Sequence, residues 1–176
     1  SKNNLWLSTN QGLSKFNHEL GTFKNYTAAN GLQDNEFNTA AYFKNQKGEL
    51  FFGGINGLNV FQPEQIEDNP VKPNIILVDF KLANKSVEIG TKNSPLKTSI
   101  SETQELKLTW KDNIFSFEFA SLDLTNSNKN QYAYKLEDFD KEWQYIGTKR
   151  TATFTNIEPG EYTFRVKATN HDGVWN

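Results

Sequence analysis

Apolar residues recur at every second position through most of this chain, in runs too short for helices. Tyr132, Tyr134 and Leu136 fall on one side of a period-2 pattern, with Ala133, Lys135 and Glu137 on the other. Tyr162, Phe164, Val166 and Ala168 alternate in the same way with Thr163, Arg165, Lys167 and Thr169. Phe115, Phe117 and Phe119 share one face of 114–120, and Ile76, Val78, Phe80 and Leu82 share one face of an earlier run. Leu106, Leu108 and Trp110 predict another strand, and 87–89, 144–146 and 151–155 predict shorter ones. The stretch 93–102 is polar and reads as a loop; 121–128 holds a short turn at most. Roughly six to eight short strands over 75–176, with turns about every ten residues, predict an immunoglobulin- or fibronectin-III-like β-sandwich. The chain stops where the last strand of such a sandwich is expected.

The first 66 residues repeat themselves. Leu5-Trp6-Leu7 with Gly12-Leu13 and Phe16 aligns with Leu50-Phe51-Phe52, Gly57-Leu58 and Phe61, at an offset of 50 − 5 = 45 positions. Each copy reads as strand, tight turn, strand. Asn56-Gly57 predicts a type I′ hairpin turn, whose two central residues both need positive φ. Further strand-like runs lie at 21–26 and 36–43, with a turn at Asn30-Gly31. A period of about 40–45 residues built of short strands predicts β-propeller blades, and 66 residues supply one to two of them. Such blades bury their faces only against neighbours. This, the missing methionines and a start inside a strand lead us to expect a piece of something longer.

Between the two patterns, Pro63, Pro70 and Pro73 interrupt a stretch without apolar alternation. The expected organisation is therefore an all-β chain: 1–66 a propeller-blade fragment, 67–74 a proline-rich linker, 75–176 the sandwich. The formal net charge of −2 disfavours nucleic acid as a partner, because phosphate binding needs a basic stripe. No apolar run is long enough to span a membrane, and no stretch of these residues reads as a signal peptide. The absence of cysteine removes disulfides, zinc-thiolate sites and cysteine nucleophiles.

Candidate chemistry is sparse. Glu137, Asp138, Asp140 and Glu142 crowd one segment, but lack the glycine and distant glutamate of an EF-hand loop; a solvated turn is the simpler expectation. Glycosidase carboxylates need a cleft and a fixed separation, which neighbours on one loop rarely provide. His18 and His171 fall in different segments without ligands at metal spacing, and His171-Asp172-Gly173 reads as a turn closing a strand. Gly53-Gly54-Ile55-Asn56-Gly57 precedes no helix and cannot cradle phosphate in the usual way. Tyr162 after Pro159-Gly160 resembles a tyrosine corner, its phenol bonded to backbone a few residues upstream. Stacking of Tyr132 or Tyr134 on a sugar is the functional alternative to burial. Their alternation with charged residues favours the core. Trp6 stands where the other copy has Phe51, which also favours packing. No catalytic, cofactor or metal residues are expected.

The motif Tyr132-x-Tyr134-x-Leu136, with Phe139-Asp140 and Trp143, then Pro159-Gly160-x-Tyr162-x-Phe164-x-Val166-x-Ala168-x-Asn170-x-Asp172-Gly173-x-Trp175, resembles the three-tyrosine (Y_Y_Y) domain. Upstream, Gly48-x-Leu50-x-Phe52-Gly53-Gly54-x-Asn56-Gly57-Leu58, with Phe61 and Pro63, is similar to the two-component regulator propeller repeat. The resemblance implies the end of the periplasmic sensor region of a membrane-bound, often hybrid, two-component histidine kinase. It implies oligosaccharide ligands bound largely on propeller blades outside these residues, and a homodimer formed through the sandwich. Tyr132, Tyr134, Trp143, Tyr162, Gly57 and Trp175 then carry structure rather than catalysis. Asp138 stands where the family is expected to have glycine; aspartate tolerates the left-handed conformation better than most residues. A secreted carbohydrate-active protein using the sandwich as a spacer is the alternative, and a plain scaffold without ligand a third.

Overall fold

The structure, a computed structural model, describes residues 4–176, so the first three residues of the 1–66 segment lie outside the described residues. It is all-β. Its helical content among those residues is three single 3-10 turns, Ala28–Asn30, Pro63–Gln65 and Ser127–Lys129. The chain forms two compact units, Ser1–Asp68 and Asn69–Asn176, which divide inside the 67–74 segment.

The first unit holds two antiparallel three-stranded sheets. One is β1 (Asn4–Thr9), β2 (Gly12–Asn17) and β3 (Thr22–Tyr26); the other is β4 (Phe37–Lys44), β5 (Leu50–Gly54) and β6 (Gly57–Phe61). The repeat is structural, since β1–β2 and β5–β6 are the two aligned copies. In the first copy Thr9 pairs with Gly12, in the second Gly54 with Gly57. The pleat sends Trp6, Leu13 and Tyr26 toward Phe37, Leu50, Phe52 and Phe61, which together make this unit's core. Trp6 stacks on Tyr26 at 5.3 Å and lies 4.8 Å from Phe61, so it packs in this core, while its counterpart Phe51 meets Phe43 at 5.8 Å outside it.

One turn differs from its expectation. The central residues of the β5–β6 hairpin are Ile55 and Asn56, neither with positive φ, and Gly57 follows them at φ +130°. The turn is therefore not type I′. A turn with ordinary central residues splays right-twisted strands, and the glycine just after it restores the twist. Gly12 does the same at φ +111°, and there a Cβ would also run into the Tyr26 carbonyl.

In the second unit, β7 (Ile75–Leu82), β8 (Lys85–Ser86), β9 (Ile114–Ser121) and β12 (Thr151–Thr155) form a sheet ordered β12-β9-β7-β8. Strands β10 (Tyr132–Leu136), β11 (Gln144–Gly147) and β13 (Phe164–Ala168) form a second sheet ordered β11-β10-β13. The two share one core. Phe80, Phe117, Phe119, Ala152 and Phe154 come from the first sheet and Tyr132, Leu136 and Ala168 from the second, all buried. Across the layers Phe117 stacks on Phe164 at 4.4 Å and Phe119 meets Tyr132 at 5.6 Å. Aromatic pairs of this kind add roughly 0.5–1.5 kcal/mol each beyond their burial.

Several expectations for this unit are corrected. In β7 the inward residues are Ile75 and Leu77, then Phe80 and Leu82, while Ile76 and Val78 are exposed. A bulge at Val78, between the Leu77–Phe119 and Asp79–Glu118 pairs, switches the parity within a run too uniformly apolar to show it. Residues 105–109 form no paired strand: Leu106 and Leu108 pack against the core and Trp110 is 83% exposed. Alternation reports a half-buried extended backbone, not a hydrogen-bonded neighbour. The polar loop 93–102 contributes Leu96 and Ile100 to the core, at 3% and 5% exposure. The 87–89 segment is not a strand, the nearest being Lys85–Ser86 just before it, and within 161–169 the strand runs only over Phe164–Ala168.

Candidate relay site in the second unit

Tyr132, on the central strand of its sheet, is 1% exposed, and its phenol oxygen accepts the Ser121 amide at 3.2 Å. Tyr134, two residues on, meets Phe154 edge-on at 5.6 Å and is only half-buried. Burial, and then the charge of Asp140, pushes its phenol pKa up. Tyr162 donates its hydroxyl to the Glu158 carbonyl at 3.0 Å, and the ring lies over Gly160, where a Cβ would sit 3.1 Å from it. This is the tyrosine-corner geometry.

The acidic residues do not converge on a common point. Glu137 pairs with Arg165 at 2.6 Å, Asp140 accepts the Leu136 amide at 2.8 Å, and Asp138 is exposed at φ +68°. The aspartate in the glycine position thus adopts the left-handed conformation anticipated for it. Among the described residues no three of His, Asp and Glu are placed to hold a metal ion. His18 is exposed in a turn, its ring 6.4 Å from Phe16.

On the outer face of the β11-β10-β13 sheet, Ala133 pairs with Tyr145 on one side and Lys167 on the other. A methyl group between two long side chains is covered by both, and Ala133 is fully buried. The Lys167 ammonium lies 4.3 Å from the Trp143 ring, 4.9 Å from Tyr145 and 5.1 Å from Trp175, and donates to the Tyr145 hydroxyl at 3.1 Å. Trp143 and Trp175 therefore hold a cation on the sheet's outer face and stay out of its core. Each such contact is worth about 0.5–1 kcal/mol where solvent reaches it.

The densest polar cluster sits beyond β13. Thr169 and Trp175 form an isolated bridge that closes a hairpin over 169–175. Inside it Asn170 is 1% exposed, and its amide is fully used. Nδ2 donates to the Asn69 carbonyl at 2.7 Å and the Val71 carbonyl at 2.9 Å, while Oδ1 accepts the Asp172 and Val174 amides at 3.0 and 2.9 Å. Asp172 takes the Asn69 amide at 2.7 Å. His171, in the turn the sequence led us to expect, gives both its backbone N–H and its Nδ1 to Asp123 Oδ2 at 2.7 Å. Burial alone would raise the Asp123 carboxyl pKa, but hydrogen bonds from His171 and Thr125 outweigh it and hold it at about 2. The partners of His171 and Asn170 lie 48 and about 100 residues away. That distance hid them from any reading by spacing.

In the first unit a cleft of about 670 Å³ is lined by Trp6, Leu7, Tyr42, Phe43 and Lys44.

Residues 123–176 match the Y_Y_Y domain family, as their motif predicts. The chain is 37% identical over 173 residues to Histidine kinase P4 of Formosa agariphila, covering 98% of this chain and 13% of that protein. It superposes on the extracellular domain assigned to the hybrid two component system BT3049 of B. thetaiotaomicron with a TM-score of 0.75 and 30% identity, over 98% of this chain and 23% of that one. The extracellular domain of BT4673 from the same organism shares the fold, with a TM-score of 0.54 and 24% identity, over 99% of this chain and 23% of that one. The chain thus resembles, over nearly its whole length, part of a histidine kinase and part of the extracellular domain of a two component system, and spans about an eighth to a quarter of its relatives.

Proposed function

We propose that this chain is the C-terminal part of the periplasmic sensor region of a membrane-bound hybrid histidine kinase, and that it makes and breaks no bonds itself. The observation that carries the reading is the 37% identity to a histidine kinase along 98% of this chain, joined to a 30% match with an extracellular two-component sensor domain. In this role the sandwich passes on a change made by ligand, an oligosaccharide, by favouring one arrangement of two sandwiches in a homodimer. A ligand can do so only by binding the two arrangements with different affinity. Residues 1–66 are then propeller blades, 67–74 the linker and 75–176 the relay sandwich.

The gene beyond Asn176 tests the assignment: an apolar stretch of about 20 residues followed by kinase motifs is expected. A stop codon or a glycosidase domain there would reject it. Scattering from the complete sensor with and without oligosaccharide tests the relay. An unchanged dimer arrangement alongside a ligand-dependent kinase response would reject that mechanism.

A further inference from the structure

The Asn170 cluster joins two parts of the second unit that are far apart in sequence: its first residues, 69–71, and the hairpin of its last residues, 169–175. Asn69 is gripped at both backbone poles, its carbonyl by Asn170 Nδ2 and its amide by Asp172 Oδ2, each at 2.7 Å. Val71 is held at its carbonyl by the same Nδ2 at 2.9 Å, and Asn69 Oδ1 takes the Val71 amide at 3.0 Å. On its other side Asn170 holds the hairpin through the Asp172 and Val174 amides and through its own backbone bond to the Val174 carbonyl at 3.0 Å. The hairpin is pinned again where Asn176 donates its amide to the Ala168 carbonyl at 3.1 Å, and where Trp175 covers Lys167. One carboxamide with all four hydrogen-bonding positions filled therefore bonds the 69–71 backbone and the hairpin backbone at once. It is nearly dry, so a bond lost on either side leaves a buried polar group unsatisfied.

We propose that Asn170 and Asp172 are positioning residues that make 69–71 and the 169–175 hairpin move as one body, so that displacement of 69–71 reaches 174–176 directly and not through the aromatic core. This rests on the relay reading above. An isoelectronic swap shows why asparagine is needed. Aspartate at 170 would keep the two acceptors, lose both donors, and turn a negative oxygen toward the Asn69 and Val71 carbonyls.

Amide hydrogen exchange on this chain tests the coupling. Asp172→Ala removes the grip on the Asn69 amide from a half-buried position, and Asn170→Asp removes the grip on both carbonyls. Each is expected to speed exchange at the Asn69 and Val71 amides and at those of 174–176 together, by tenfold or more, with the amides of β9 and β10 unchanged. Asp172→Asn, which keeps an acceptor, should restore most of the protection. If 69–71 loosens while 174–176 stays as protected as before, or if β9 and β10 loosen equally, the proposal fails. Should Asn170→Asp not fold, the Asp172 pair decides alone. In the complete receptor the same Asp172→Ala change should abolish the ligand response with ligand affinity unaltered; an intact response overturns the relay role. A wild-type receptor with no ligand response would instead reject the sensor reading, and the coupling would then be judged on exchange alone.

Discussion

Tyr132 shows how one hydroxyl can matter in a core that is otherwise hydrocarbon. Its ring packs on Phe119, and its oxygen takes the only bond the Ser121 amide makes to a side chain among the described residues. Tyr132→Phe keeps the ring and leaves that amide without its acceptor in a buried site, at a cost of about 1–3 kcal/mol. Urea unfolding should show the loss as a lower midpoint at unchanged slope. Asp123 makes the corresponding electrostatic case. Its folded pKa of about 2 lies below the ordinary carboxylate value of 3.8. The stabilisation is therefore complete above about pH 4 and is lost as pH falls toward 2. Asp123→Asn should flatten the fall in unfolding free energy between pH 4 and pH 2. After solvent screening the effect is roughly 1–2 kcal/mol.

At the scale of single elements, the two hairpin turns of the repeat are a matched pair with unequal surroundings. Gly12 and Gly57 both hold positive φ, at +111° and +130°. A methyl group on Gly57 meets nothing within 4 Å, whereas one on Gly12 collides with the Tyr26 carbonyl. Gly57→Ala should therefore cost only the backbone strain, about 1–2 kcal/mol. Gly12→Ala should cost more and should perturb the β2–β3 pairing, seen as lost amide protection at Leu13 and Tyr26. The alignment of the copies placed both glycines at equivalent positions. It could not show that only one has a backbone lying against it, because that neighbour comes from β3.

For the molecule as a whole, the apolar surface left uncovered is informative. Phe43, Leu58 and Val60 point out from the β4–β6 sheet at 62%, 57% and 47% exposure, and Leu5 and Phe23 from the β1–β3 sheet at 56% and 61%. In the repeat Leu58 is the counterpart of Leu13, which is 1% exposed because it packs on the other sheet. The outer faces thus have the composition of faces that elsewhere in this unit are buried. Large exposed apolar patches of this sort drive association. Sedimentation velocity of the isolated chain should show concentration-dependent self-association, and Val60→Lys should weaken it without lowering the unfolding midpoint. A chain that stays monomeric at high concentration would contradict this.

Much of the architecture is local and so was legible in the sequence. The 45-residue repeat, the inward faces of β9, β10 and β13, the tyrosine corner and the left-handed Asp138 all follow from alternation or from turn chemistry acting within a few residues. The Y_Y_Y motif is legible for the same reason, since its spacing is that of strands and turns. Tertiary structure alone decided the parity switch at Val78, the burial of Leu96 and Ile100 in a loop that reads as polar, and the aromatic surround of Lys167. It alone decided, too, that Asn170 bonds to Asn69 and that His171 finds Asp123. Each of these depends on a partner brought close by folding, and a pattern read along one strand carries no record of what lies across the gap.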